Sequence, residues 1–146
     1  MAACQTTRYG RECGYHLLRE AVRPVASESP AQAAPALAPW RDMPGTPDAS
    51  RQFWKAYYRQ RIVMGLTSDP ADCLDKTCVM ACREVLFSTL GARAGGSRDT
   101  LCTAPPEVPS RWLATEQVTK WVVDWTAQEC RKQGIAPPVR AIPAGP

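Results

Sequence analysis

This chain has little of what catalysis usually requires. Its 146 residues include one histidine, His16, which stands beside Leu17 without a recognisable partner motif. The nucleophile pattern GxSxG, the zinc-binding pattern HExxH and the phosphate-binding pattern GxxxxGK[ST] are all missing from the sequence. The basic, glycine-rich stretch at residues 91–98 lacks the terminal Lys-Ser/Thr pair and is interpreted as a loop that ends a helix. We therefore expect a protein that is not an enzyme and that holds no cofactor and no metal.

Long hydrophobic runs are also missing. No apolar stretch approaches the roughly 18–20 residues that cross a bilayer, so no membrane span is expected. The N-terminal residues show no secretory hydrophobic segment. Instead, residues 1–26 contain four arginines and an amphipathic stretch, as mitochondrial presequences do, although Glu12 and Glu20 are unusual in such segments. We predict a mitochondrial protein with a presequence-like but uncleaved N-terminus. The alternative is a cytoplasmic protein.

Strand-like alternation is absent, and four segments have helical periodicity instead. The first covers residues 11–22, and the second follows Asp48 or Ser50 as N-cap and ends at Gly65. The third is predicted from the Ser68–Asp69 cap to Gly91. The fourth runs from about Thr115 to Gln133, before the stop signal of Gly134. In the fourth helix an apolar stripe is formed by Val118, Trp121, Val122 and Trp125. The pattern predicts an all-α protein, a small irregular bundle of about three main helices.

Fourteen prolines are concentrated outside these helices. Segments rich in Pro and Ala favour extended conformations, and they serve either as linkers or as arms that wrap around a partner. Trp40, in the middle of the first such segment, favours the second alternative because an indole is a common interface anchor. We predict extended Pro/Ala-rich N- and C-terminal arms: an N-terminal arm with one short helix over residues 1–47, a helical body over 48–134 and an extended tail over 135–146.

Three of the seven cysteines lie close together in the sequence DCLDKTCVMAC, residues 72–82. On one continuous helix, Cys78 and Cys82 share a face, whereas Cys73 points to the opposite side. One tetrahedral metal could not bind all three, and the spacing to Cys102 and Cys130 is unlike that of zinc sites.

Two interpretations of these cysteines remain. One disulfide from Cys78 or Cys82 to Cys102 or Cys130 is feasible, and the pair in CVMAC resembles in part the helical hairpins of the mitochondrial intermembrane space, which carry two facing cysteine pairs. The plainer interpretation is that Cys78 and Cys82 are buried, small apolar residues in a reducing compartment.

The charge pattern offers one lead towards nucleic acid. The net charge is +4, and the stretch SRQFWKAYYRQR, residues 50–61, interleaves four bases with four aromatic residues. Such a pattern suits stacking on single-stranded RNA. It equally suits an amphipathic helix whose aromatic residues pack inward, which the helical stripe of Trp54, Tyr57 and Tyr58 favours.

The stretch PSRWLATEQVTKWVVDW, residues 109–125, is similar to the opening of pointed or sterile-alpha-motif domains, in which a tryptophan precedes a helix of the form E-x-V-x-x-W. The resemblance implies a helical protein-interaction module. It covers these seventeen residues, and the further helices of such a domain do not follow them in this sequence. The same spacing is also found in any amphipathic helix.

A small helical body, Pro/Ala-rich arms and many aromatic residues together predict a non-catalytic structural accessory subunit of a large assembly. We expect its partners to be other protein subunits, most specifically those of a mitochondrial respiratory-chain complex. The alternatives are an RNA-contacting subunit of the mitoribosomal type and a sterile-alpha-motif-like interaction fragment. The candidate interface residues are Trp40, Trp54, Tyr57, Tyr58, Trp112 and Trp125.

Overall fold

The structure is a computed structural model that describes residues 10–42, 48–66, 70–93, 102, 107–109, 115–136 and 142–144. Its helices are α1 (Gly10–Val22), α2 (Pro30–Ala33), α3 (Ala49–Val63), α4 (Lys76–Arg93) and α5 (Glu116–Lys132). Turns of 3₁₀ helix occupy Arg23–Val25 and Ala34–Trp40. The predicted all-α class is confirmed.

One short parallel strand pair accompanies the helices. Strand β1 (Glu107–Pro109) pairs with β2 (Ile142–Ala144), with Val108 opposite Pro143. The C-terminal segment predicted as an extended tail therefore makes backbone contacts with residues that precede α5.

The chain forms two compact units. The first contains residues 1–64 and 70–82, and the second contains residues 65–69 and 83–146. In the first unit, α1 packs against α3, and the two 3₁₀ turns also contact α3. Its most deeply buried large side chains are Leu18, Val22, Leu37, Phe53, Tyr57 and Tyr58. In the second unit, the buried apolar side chains include Val85, Leu86, Phe87, Val118 and Val122.

The proline-rich N-terminal segment is helical rather than extended over its described residues. Pro30 lies in the first turn of α2, where its fixed φ suits a helix and no backbone N–H is needed. Ser29 and Gln32 form a capping box at the same point, in which each side chain bonds the other residue's backbone N–H. Leu37 and Trp40 then bury their side chains from the second 3₁₀ turn. Proline at helix starts, together with alanine and two large anchors, explains why this segment folds against α3.

The other helix boundaries agree with the sequence except at one end. α1, α3 and α5 lie within about two residues of their expected bounds. Thr115 caps α5 by accepting a hydrogen bond from the N–H of Val118, and Gly134 ends it with φ of +71°. Helix α4, however, begins at Lys76 and not near Asp69. The cap is provided by Asp75, whose Oδ1 accepts a hydrogen bond from the N–H of Cys78 at 2.9 Å.

Candidate functional site

The aromatic residues of α3 form a cluster inside the first unit. Phe53, Trp54, Tyr57 and Tyr58 recur at helical spacing, so one face of α3 carries all four. Successive rings meet edge to face, with centroid distances of 4.9, 5.2 and 4.8 Å. All four side chains are buried, which makes this cluster the centre of the unit's core.

Three of these residues were expected to contact a partner, and the structure instead buries them within the chain. Trp54, Tyr57 and Tyr58 are at most 2% exposed, and Trp40 is 4% exposed. Periodicity identified the apolar face of α3 correctly, but the surface that covers this face belongs to the same chain. Of the remaining candidates, Trp125 is half-buried, and Trp112 lies outside the described residues.

Tyr57 and Arg61 connect α3 to the turn that follows α1. The Tyr57 hydroxyl donates to the carbonyl oxygen of Glu28 at 2.5 Å. The Arg61 guanidinium donates to the carbonyl oxygens of Ala26, at 2.9 Å, and Glu28, at 3.3 Å, and lies 5.5 Å from the centre of the Tyr57 ring. Burial raises the pKa of Tyr57 from 10.0 to about 12, although the nearby charge of Arg61 opposes part of this rise.

The raised pKa of Tyr57 makes the stability of the protein fall at high pH. Above pH 10 an unfolded chain loses the Tyr57 proton, whereas the folded chain keeps it until about pH 12. The contribution of the neutral Tyr57 phenol to the free energy of unfolding is therefore complete below pH 10 and is lost as the pH rises towards 12. We expect Tyr57→Phe to reduce this loss relative to the wild type, and to cost about 0.5–1.5 kcal/mol at neutral pH through the missing hydrogen bond. Urea unfolding at a series of pH values measures both effects. If the free energy of unfolding fell equally steeply with pH above 10 in the two proteins, the raised pKa of Tyr57 would be contradicted.

The cysteine cluster contains a disulfide that the helical spacing did not predict. Cys73 is bonded to Cys78, with their Cα atoms 5.7 Å apart. The pair is feasible because α4 begins only at Lys76, so Cys73 lies in the preceding turn and not on the far side of a helix. The Tyr58 hydroxyl lies 3.2 Å from the Cys73 sulfur and 3.5 Å from the Cys78 sulfur. Cys82 is buried and is not disulfide-bonded.

A second disulfide joins Cys102 to Cys130 of α5, with a Cα separation of 5.5 Å. The alternative of a bridge from Cys78 or Cys82 to one of these residues is therefore wrong, and each of these two disulfides lies within its own unit. Cys13 of α1 is disulfide-bonded as well. The expectation that Cys78 and Cys82 are both free thiols fails for Cys78, because its nearest suitable partner is in the turn before its own helix.

The second unit places its aromatic residues at the edge of a buried stripe. On α5 the fully buried residues are Val118, Val122 and Cys130, and Thr126 between them is 3% exposed. Trp121 and Trp125 are half-buried beside this stripe. Trp125 stacks on Phe87 of α4 at 4.9 Å between ring centres and 11° between planes. The core face of α5 is thus rotated slightly from the expected one.

A groove lies between α1 and α3, both of which belong to the first unit. Its floor is apolar, and its rim carries three arginines. The lining residues are Arg19, Val22, Arg23, Ala56, Arg59, Gln60 and Val63. The volume is about 170 Å³. These three arginines could not be grouped from the sequence because Arg59 is distant in the chain from the other two, although the four-residue spacing of Arg19 and Arg23 indicates that these two lie on one side of the helical segment.

The remaining polar features are peripheral. His16 is exposed on α1. Among the described residues, no three His, Cys, Asp or Glu side chains come together in a way that could hold a metal ion. In the same part of the chain, no helix is both long enough and apolar enough to cross a bilayer.

Comparisons of the chain with protein-family models, with curated proteins and with solved structures found no match. The resemblance to sterile-alpha-motif domains stays a prediction from seventeen residues of sequence.

Proposed function

We propose that this protein is a non-catalytic, disulfide-stabilised accessory subunit of a multiprotein assembly in an oxidising compartment of the mitochondrion, most specifically of a respiratory-chain complex. The observation that carries the proposal is the disulfide content. Cys73–Cys78 and Cys102–Cys130 are bonded, and so is Cys13. Disulfides persist where the surroundings are oxidising and are rare where thioredoxin and glutathione keep thiols reduced. The compartment we propose is therefore oxidising, in contrast to the reducing one favoured by the sequence.

The role of α1 supports a mitochondrial protein that keeps its N-terminal region. Leu18 and Val22 of this helix are 1% exposed and pack into the core of the first unit. Removal of α1 would expose the aromatic face of α3, which would cost much of the unit's apolar burial. An amphipathic helix near the N-terminus that is part of the fold fits a targeting segment that is retained in the mature protein.

The geometry of α3 favours this role over RNA binding. Stacking on bases needs aromatic faces that are open to solvent, whereas Trp54, Tyr57 and Tyr58 are buried against one another. Arg61 is also engaged with two backbone carbonyl oxygens of its own chain. The aromatic residues of the segment whose composition suggested RNA binding therefore form part of the core of the first unit.

Two measurements on intact mitochondria test the proposal. Free thiols are first trapped by acid and alkylation at the moment of lysis. Of the cysteines that the structure describes, we expect Cys82 alone to be modified, because acid denaturation exposes its buried side chain and it is not disulfide-bonded. Native electrophoresis should then place the protein far above its own mass of 16.0 kDa, together with a respiratory complex. Alkylation of Cys73, Cys78, Cys102 and Cys130 at lysis would overturn the proposed compartment, and migration as a monomer would overturn the proposed assembly.

A further inference from the structure

We propose that the groove between α1 and α3 binds an acidic peptide segment of a partner protein, with one apolar side chain of the peptide on the groove floor and its carboxylates on the three arginines. The inference rests on the proposed function and adds to it the docking surface and the chemistry of the partner.

The shape of the groove suits a side chain rather than a whole small molecule. Its volume of about 170 Å³ lies below the roughly 300–1,000 Å³ of most small-molecule pockets. The floor is formed by Val22 and Ala56, and Val63 stands at its edge with 80% of its surface exposed. Contact between Val63 and an apolar side chain of the peptide would remove apolar surface from water and so favour binding.

The charge of the groove has one sign. Arg19, Arg23 and Arg59 line it, and no carboxylate is among the lining residues. Arg19 and Arg23 are four residues apart, so they lie one turn apart on the same side. Arg59 reaches the groove from α3. The guanidinium group pairs with carboxylates through two parallel hydrogen bonds, which makes such a rim selective for acidic side chains.

The arginines are available for a partner. The Arg19 Nε donates to the carbonyl oxygen of Tyr15, its own helix neighbour, at 3.3 Å. Arg23 faces Glu20 at 3.6 Å, but their side chains are 68% and 47% exposed, and an exposed pair of this kind is weak enough to exchange. Arg59 is exposed, in contrast to Arg61 two residues later, which is held by backbone carbonyl oxygens. The net charge of +4 further favours the approach of an acidic partner.

The test uses the purified full chain and a fluorescein-labelled helical peptide in which leucines are flanked by glutamates. The matched control peptide has glutamine at each glutamate position. By fluorescence anisotropy at low salt, we expect the glutamate peptide to bind at least about tenfold more tightly, and the difference to shrink as salt is added. Arg59→Glu should weaken binding of the glutamate peptide by about tenfold or more, because it places a negative charge beside the glutamates of the peptide.

Two further variants separate the groove from general charge and from folding. Arg41→Glu makes the same charge change at an exposed arginine that does not line the groove, and it should alter binding by less than about twofold. Val63→Ser should weaken binding without loss of helical circular dichroism, because this side chain is already exposed.

Several results would overturn the inference. One is equal binding of the two peptides, and another is an equal effect of Arg41→Glu and Arg59→Glu on that binding. A third is tighter binding of phosphatidylserine vesicles than of the glutamate peptide, lost in Arg59→Glu, which would identify a lipid-binding surface. Peptide binding is measured on the isolated chain, whereas the assembly is read by native electrophoresis. The docking surface and the proposed function can therefore fail separately.

Discussion

Phe53→Ala is expected to lower the free energy of unfolding by about 3–5 kcal/mol, the range for large aromatic side chains removed from a core. The Phe53 side chain is fully buried on α3 and meets Trp54 edge to face. Its removal leaves a cavity beside rings that also pack against one another, so we expect the site to collapse only partially. The expected loss is a large share of the ~5–15 kcal/mol that stabilises an ordinary domain.

The matched control lies on the same helix. Arg59→Ala removes an exposed side chain from α3 and should change stability by no more than about 0.5 kcal/mol. Urea unfolding followed by circular dichroism measures both variants. Similar, small losses from the two substitutions would mean that Phe53 is not part of the core and that the face of α3 is misassigned.

The helices predicted best from the sequence are those whose signals are local. α5 combines an apolar stripe with a capping threonine, Thr115, and a terminal glycine, Gly134, and each of these acts within a few residues. The start of α4 could not be predicted in the same way. Asp69 and Pro70 are good first-turn residues, but Cys73 in the following turn is joined to Cys78, and Asp75 caps the helix from Lys76 instead. A disulfide between two residues that are so near each other in the sequence competes with helix formation over the same residues.

The candidate site could be predicted only in part, for a related reason. Periodicity shows that Trp54, Tyr57 and Tyr58 face an apolar surface, but it does not show whether the surface belongs to the same chain. The answer depends on the segment from Pro30 to Trp40, whose composition resembles that of a linker and which folds because of a capping box and two buried anchors. The arginine groove depends on the same packing, because Arg23 and Arg59 are 36 residues apart and meet only when α1 lies against α3.

Removal of the Cys102–Cys130 disulfide is expected to have the other large effect on stability. This bond closes a loop with a sequence separation of 28, whereas Cys73–Cys78 closes one with a separation of 5. In the chain-entropy description, the longer loop stabilises by about 3.5 kcal/mol and the shorter one by about 2 kcal/mol. The reason is that a crosslink between distant residues removes more conformations from the unfolded chain.

The comparison needs double substitutions, so that no unpaired thiol remains in either variant. We expect Cys102→Ala with Cys130→Ala to shift the urea midpoint further than Cys73→Ala with Cys78→Ala. Both cysteines of the longer bridge are buried, at 7% and 0% exposure, so alanine keeps the site apolar and adds only a small cavity to the entropic loss. Reduction of the wild type should then destabilise it more than either double substitution does alone. A larger loss from the Cys73–Cys78 pair would contradict the entropic account, and would place the stabilising effect in the contacts of Tyr58 with the two sulfur atoms instead.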